Sequence, residues 1–221
     1  MKVYKLTDGN GGSRSGRKWG INVTRKASGE EESCSDGWMD GWIHCYDSPE
    51  IAALMYPLYT PWTHPRLWDA EAEGKTLDGK GLIRYVQELT TLRKIPLPSI
   101  TMTQQIAFGI LCAREVCHEA LCVSWFEDWL SGKDRSAKSA IAIADFADAS
   151  EALTEAHSGR AAYYYAAYAV IYAVLATREA FEADCASEVA YYSAYAAAVA
   201  SEATAALPLT DIISQAMSME K

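Results

Sequence analysis

Four potential metal ligands, Cys112, Cys117, His118 and Cys122, fall within the segment "CAREVCHEALC", and thiolate and imidazole are the donors that hold zinc. On one continuous helix they would lie at offsets of five, six and ten from Cys112, pointing around the cylinder rather than converging. Structural zinc sites use two-residue spacings at knuckles, and a cysteine within a helix commonly serves as a small core residue. The expectation is therefore no metal and no cofactor. "DGNGGSRSGRKWG" offers G-x-x-G spacings with Arg14, Arg17 and Lys18, but lacks the Gly-Lys-Ser or Gly-Lys-Thr ending of a phosphate loop. It reads as a hairpin turn.

A different chemistry, recognition, is suggested by "RAAYYYAAYAVIYAVLATR", which holds five tyrosines and seven alanines between Arg160 and Arg178. At 100° per residue, Tyr164, Tyr168, Ile171 and Leu175 form one stripe flanked by Tyr163, Val170 and Val174. Ala162, Ala166, Ala169, Ala173 and Ala176 lie opposite, a methyl strip that admits a close neighbour. A helix without a charged face is usually buried all round, so this one is expected at the centre of a bundle with a tyrosine-rich core. The other reading is a binding face. It comprises Tyr164, Tyr168, Tyr191, Tyr192 and Tyr195 with the carboxylates of Glu182, Asp184 and Glu188, because tyrosine combines a large apolar body with a polar tip.

The elements that would position these residues divide near residue 100. Before it, apolar runs are short and punctuation is dense. "KVYKL" (Lys2 to Leu6) and "KWGINVT" (Lys18 to Thr24) read as strands around the Gly/Ser/Arg turn, and "RLWDAEAEG" and "LIRYVQELTTLRKIPLP" as further strands. Between them, Ser48 can cap a short helix with Pro49 at its first position and Glu50 in its first turn, ended by Pro57. After residue 100, Thr101 or Thr103 can cap a helix carrying Ile106, Ile110, Ala113, Cys117 and Leu121 on one face and ending near "WLSGKD". A second helix is expected from about Ser136 to His157, stopped by Ser158 and Gly159. Arg160 to Ala206 has no breaker, but "AYYYAAYA" and "AYYSAYAA" echo one another, which predicts a break near Asp184 to Ser187. The fold class is α+β: a head over residues 1–100 followed by an acidic all-α bundle of four or five helices over 101–221.

The formal charge of −9 is one-sided: residues 101–221 hold 7 basic against 16 acidic side chains. Such a surface repels phosphates and anionic membranes and favours a protein partner with a basic surface over nucleic acid or lipid. Six cysteines are too sparse for a disulfide scaffold, and "MKVYKLTDGNGG" has no apolar core of a signal peptide, so a reduced, cytoplasmic protein is expected. Residues 161–177 reach only the lower limit of a membrane span and would bury tyrosines in hydrocarbon, so no membrane span is expected.

From "GWIHCYDSPEIAALMY" through "PRLWDAEAEG" and "ELTTLRKIPLPSITMTQQIAFGILCA", the chain resembles a family of uncharacterised bacteriophage proteins with a small α+β head and an Ala-rich, aromatic-studded helical tail. The resemblance covers most of the chain and implies a phage accessory protein in the host cytoplasm. By analogy with other small phage proteins, the expected role is non-catalytic binding and modulation of a host protein, as in an anti-CRISPR-like counter-defence inhibitor. "GWIHCYDSPEIA" is also similar to the Gly-x-Tyr-Phe-Ala-Asp segment of ADP-ribosyltransferases. That similarity implies an NAD-using alternative with His44 in the aromatic position and Glu88 as the late glutamate, although no histidine precedes His44. A third alternative is a self-associating structural protein, a homo-oligomer built through the Ala/Tyr helices.

Overall fold

The computed structural model describes residues 1–28, 34–35, 38–39, 41–59, 62, 64–155, 161–180, 186–204 and 206–219. Side chains are described for these residues except 34–35, 38–39, 59, 147–155, 161–167 and 179. The fold is α+β, and the chain divides into two compact units, Met1–Ser99 and Ile100–Lys221.

The first unit is built on an antiparallel sheet. Its elements are β1 (Lys2–Thr7), β2 (Val23–Lys26), β3 (Cys34–Ser35), β4 (Trp38–Met39), β5 (Ile43–Cys45), α1 (Pro49–Tyr59), β6 (Arg66–Gly79) and β7 (Ile83–Ile95). The strand order is β1-β6-β7-β2 with β5 also on β7, while β3 and β4 pair separately. The long strands β6 and β7 form a hairpin. At its tip Lys80 and Gly81 take φ of 56° and 77°, and the Leu82 N–H reaches the Gly79 carbonyl at 3.1 Å. Positive φ at both central residues gives the turn the hand that twisted strands require. Along β6 the first half is buried on both faces, Leu67 to Ala70, before Ala72 turns in and Glu71 and Glu73 turn out. Val3, Trp19, Ile43, Cys45, Ala70, Ala72, Val86 and Leu89 form one core cluster.

The expected hairpin of Lys2–Leu6 with Lys18–Thr24 is not formed: β1 pairs with β6 and β2 with β7. The second strand starts only at Val23, because Asn22 adopts φ 55° and turns the chain. The Gly-rich segment instead folds on itself. The Asp8 carboxylate accepts the Asn10 and Gly12 N–H groups, each at 2.7 Å, and the Trp19 N–H returns to the Gly11 carbonyl at 2.8 Å. Gly11, at φ 79°, has no room for a side chain, since a Cβ would lie 2.5 Å from the Trp19 carbonyl oxygen.

Ser48 caps α1 as expected, its hydroxyl accepting the Ile51 N–H at 3.1 Å. Pro57 does not end that helix, which runs on to Tyr59. Proline removes one donor from a terminal turn, where the loss is smaller than in a helix interior.

The described elements of the second unit are α2 (Met102–Arg114), α3 (Ala120–Leu130), α4 (Ala137–Glu155), α5 (Ala161–Glu179), α6 (Ala186–Ala203) and α7 (Leu209–Ser218), six helices among the described residues rather than four or five. Thr101 caps α2 in a reciprocal box: its hydroxyl accepts the Gln104 N–H at 3.2 Å, and the Gln104 side chain accepts the Thr101 N–H at 3.0 Å. The helix expected to continue through Leu121 stops at Arg114, because the Val116 and Cys117 N–H groups both turn back onto the Ala113 carbonyl. The restart as α3 buries Cys122, Trp125, Phe126 and Trp129 on a face of its own and leaves Leu121 58% exposed, off the buried stripe to which its spacing assigned it. Ser136 caps α4; its expected end at His157 to Gly159 lies outside the described residues. The break expected near Asp184 to Ser187 also falls largely outside them, and α6 is already helical at Ala186.

The helix buried all round is α2, not α5: Ile106 to Ala113 are buried without interruption. Helix α5 buries Ala169, Val170, Ala173, Val174, Ala176 and Thr177 and leaves Tyr168, Ile171, Tyr172 and Leu175 half-buried. Close helix approach occurs where Gly109 of α2 meets α6. A Cβ at Gly109 would lie 3.2 Å from the Ser193 Cα and 3.5 Å from the Ala196 Cβ.

Candidate functional site

Helix α6 keeps small residues inside, Val189, Ala190, Ser193, Ala194, Ala196, Ala197 and Ala200. A helix seated on small residues lies close to its neighbour and has no room there for a phenol ring. Its tyrosines are therefore on the other side, where they meet those of α5. Tyr172 of α5 is at the centre of this cluster: its ring centroid is 4.3 Å from Tyr195, 6.2 Å from Tyr192 in a stacked arrangement, and 6.1 Å from Tyr168. Tyr191 lies 5.6 Å from both Tyr192, edge to face, and Tyr195. The spacings of 5.6 to 6.2 Å fall in the range of favourable aromatic pairs, and the 4.3 Å pair is slightly closer still.

Tyr191 is 39% exposed, and Tyr168, Tyr172, Tyr192 and Tyr195 are half-buried. Burial, then the neighbouring Tyr195 and Tyr192, pushes the Tyr191 phenol above its ordinary pKa, so this residue offers a neutral ring and hydroxyl. Glu188 stands one turn before Tyr191 and Tyr192 and is exposed. Its carboxylate accepts the Ser187 hydroxyl at 2.6 Å, and this bond and its own N–H hold its pKa below the usual carboxylate value. A ring surface edged by a carboxylate suits a guanidinium or ammonium group, through cation–π contact and ion pairing together.

Of the residues expected at this face, Tyr168, Tyr191, Tyr192 and Tyr195 are brought together, and Glu188 lies one turn before Tyr191 and Tyr192 on the same helix. Glu182 and Asp184 lie outside the described residues, as does the side chain of Tyr164. Tyr172 was missed by the stripe through Ile171 and Leu175, although its position four residues after Tyr168 was the available signal.

The other candidates are dispersed. Cys112 is buried inside α2, Cys117 and the exposed His118 stand in the turn before α3, and Cys122 is in the first turn of α3. The four do not share one helix as supposed. Among the described residues no group of three or more His, Cys, Asp or Glu side chains could hold a metal ion. His44 lies on β5 opposite Tyr85 of β7, its ring edge-on to the tyrosine at 4.9 Å, whereas Glu88 pairs with Lys26 of β2 at 3.3 Å.

One ionisable residue carried no sequence signal. Lys5 on β1 is only 6% exposed, its ammonium donating to the His44 carbonyl at 2.5 Å and standing 5.5 Å from the centroid of Trp19. Burial lowers its pKa to about 8, Cys45 and Arg17 contributing less, and burial likewise raises the Cys45 thiol to about 12. The backbone carbonyl and indole face supply what a buried cation needs, so this group reads as part of the core.

Among the described residues no helix is long and apolar enough to cross a membrane. No family model, no curated protein and no solved structure matches the chain.

Proposed function

We propose that this chain is a non-catalytic binding protein whose α5–α6 tyrosine cluster, edged by Glu188, engages a basic surface of a partner protein. The observation that carries the reading is the contact network from Tyr168 through Tyr172 to Tyr192, Tyr195 and Tyr191 on the outer side of helices that fill their inner side with alanine. Aromatic side chains gathered at a half-exposed face supply contact area at low conformational cost, and tyrosine is enriched among the residues that dominate binding energy. The excess of 16 acidic over 7 basic residues in 101–221 adds long-range attraction to a basic partner and disfavours nucleic acid and anionic membranes as direct ligands.

The resemblance to bacteriophage proteins extends the reading to a phage accessory protein acting in the host cytoplasm, with a host defence component as the class of target and an all-α recognition domain following the head. That extension rests on analogy.

The test is capture from bacterial host lysate with the tagged full-length chain, followed by purification of the partner. Affinity should fall as salt rises, because exposed charges are screened within about 8 Å at physiological ionic strength. It should also fall at least about tenfold when Tyr191 and Tyr195 are both replaced by alanine, the loss expected for two contributing interface residues. A partner that binds this double variant as tightly as the parent, or that binds equally at low and high salt, overturns the reading.

A further inference from the structure

The sheet of the first unit closes at one end and stays open at the other. The outer side of β1 is taken by Tyr46, which follows β5: the Tyr4 N–H reaches the Tyr46 carbonyl at 2.8 Å, and the Tyr46 N–H returns to the Tyr4 carbonyl at 2.9 Å. Strand β2 ends the strand order, and among the described residues no strand pairs with its outer side. Its free groups follow from its register on β7, Val23 to Lys26 against Thr91 to Glu88. The Ala27 N–H donates to the Gln87 carbonyl at 2.6 Å, so alternation gives the backbone groups of Val23 and Arg25 to β7 and turns the N–H and C=O of Thr24 and Lys26 outward. The Thr24 and Thr90 hydroxyls, 2.8 Å apart, mark the pair without backbone bonds that this alternation requires. The outward Thr24 carbonyl accepts the Arg25 guanidinium at 3.3 Å, a side chain standing where a neighbouring strand would donate.

We infer that the outer edge of β2 is a docking site for an extended acidic segment of a partner protein, which adds to the sheet as a further strand. Main-chain hydrogen bonds hold a strand added in this way, and side chains select it. Here the selection is by charge. Residues 9–28 hold five basic side chains and no acidic one. Arg25 and Lys26 are exposed on β2 itself, and the pairing of Lys26 with Glu88 at 3.3 Å is of the weak surface kind, the lysine side chain being 77% exposed. Arg17 adds its charge where β2 ends, donating to the Ser28 hydroxyl at 3.4 Å and to the Gly41 and Trp42 carbonyls at 3.1 and 3.3 Å, all neutral acceptors. Before β2 begins, Ile21 is 70% exposed and offers an apolar contact. Cations along an open edge repel another cationic strand, so a second copy of β2, which would set two arginines and two lysines along one short pair, is disfavoured. Nucleic acid phosphates would use the cations but leave the outward Lys26 carbonyl facing an anion, whereas a strand answers donors and acceptors alike.

The experiment uses the full-length chain and a capped peptide of alternating glutamate and valine long enough to span β2, read by amide hydrogen exchange. Saturating peptide should slow exchange at Thr24 and Lys26 by at least about tenfold, and by more than at Arg25, whose N–H is already on β7. A peptide with lysine in place of glutamate should bind at least about tenfold more weakly, and affinity for the acidic peptide should fall as salt rises. Thr24→Pro removes an outward N–H without touching the ladder to β7 and should weaken binding at least about threefold, the loss of one main-chain hydrogen bond. The inference is overturned if the acidic peptide protects neither amide in the parent, a readout that needs no variant to fold. It is also overturned if the lysine peptide or an oligonucleotide protects them equally, or if they become protected at raised protein concentration without peptide, which would give the edge to a second copy.

Discussion

Tyr172 and Tyr195 bring α5 and α6 together through ring centroids only 4.3 Å apart, closer than any other pair in the described tyrosine cluster. Tyr172 also touches Tyr168 and Tyr192, whereas the more exposed Tyr191 touches only rings of its own helix among the described contacts. Stability and recognition should therefore separate at these two positions. Tyr172→Ala is expected to cost roughly 1–3 kcal/mol, the loss of aromatic pairs together with part of a buried ring. Tyr191→Ala should change stability by less than about 0.5 kcal/mol, as surface substitutions do, while weakening partner binding. Urea unfolding of both variants beside binding measurements decides this; equal destabilisation would mean that the outer face is only core.

At Gly109 the backbones of α2 and α6 are close enough that a Cβ would already meet the Ser193 Cα at 3.2 Å. Gly109→Leu must displace α6 or strain its own rotamer, and overpacking of this kind costs typically about 1–3 kcal/mol. Glycine is a poor helix former, so leucine regains up to about 1 kcal/mol of propensity. A net fall in melting temperature is expected, and a variant as stable as the parent would show that the contact is looser than the geometry implies.

The Thr101 and Gln104 side chains satisfy each other's backbone N–H at the start of the most buried helix. Thr101→Ala removes one bond of the pair and should destabilise by about 1 kcal/mol. Thr101→Ser keeps the hydroxyl and should remain within a few tenths of the parent in denaturant titration.

Lys5 makes the stability pH-dependent in a defined direction. Its pKa is about 8 in the fold against 10.5 for the ordinary group, so between these values the unfolded chain binds more protons than the folded one. Stability from this group therefore rises with pH across that window, and below about pH 8 the burial penalty is fully present. The difference between parent and Lys5→Met should shift in the parent's favour by up to about 3 kcal/mol between pH 8 and 10.5. Cys45, raised from 9.0 to about 12, drifts the opposite way but is present in both proteins and cancels to first order. A difference that stays flat with pH would mean that Lys5 carries no such penalty.

Local chemistry made much of this protein legible in its sequence. The caps at Ser48 and Thr101, the strand pattern of β6 and β7 and the helix around Ala169 follow from hydrogen-bonding side chains and periodicity within a few residues. Composition placed the excess of acid over base in the second half. Strand pairing was not legible, because β1 finds β6 across more than half the unit and no short-range signal encodes that partner. Nor was the break after Arg114, since nothing between Glu115 and Glu119 is a glycine or proline; the burial of Trp125, Phe126 and Trp129 against the rest of the unit outweighs helix propensity there. The same break decided that Cys117 stands in a turn and Cys122 in α3 instead of both lying on one cylinder. The tyrosine face divides in the same way: periodicity assembled Tyr191 and Tyr195 on one side of α6, whereas the placing of Tyr172 between them and Tyr168 came from helix packing, which depends on the volumes of alanines far apart in the chain.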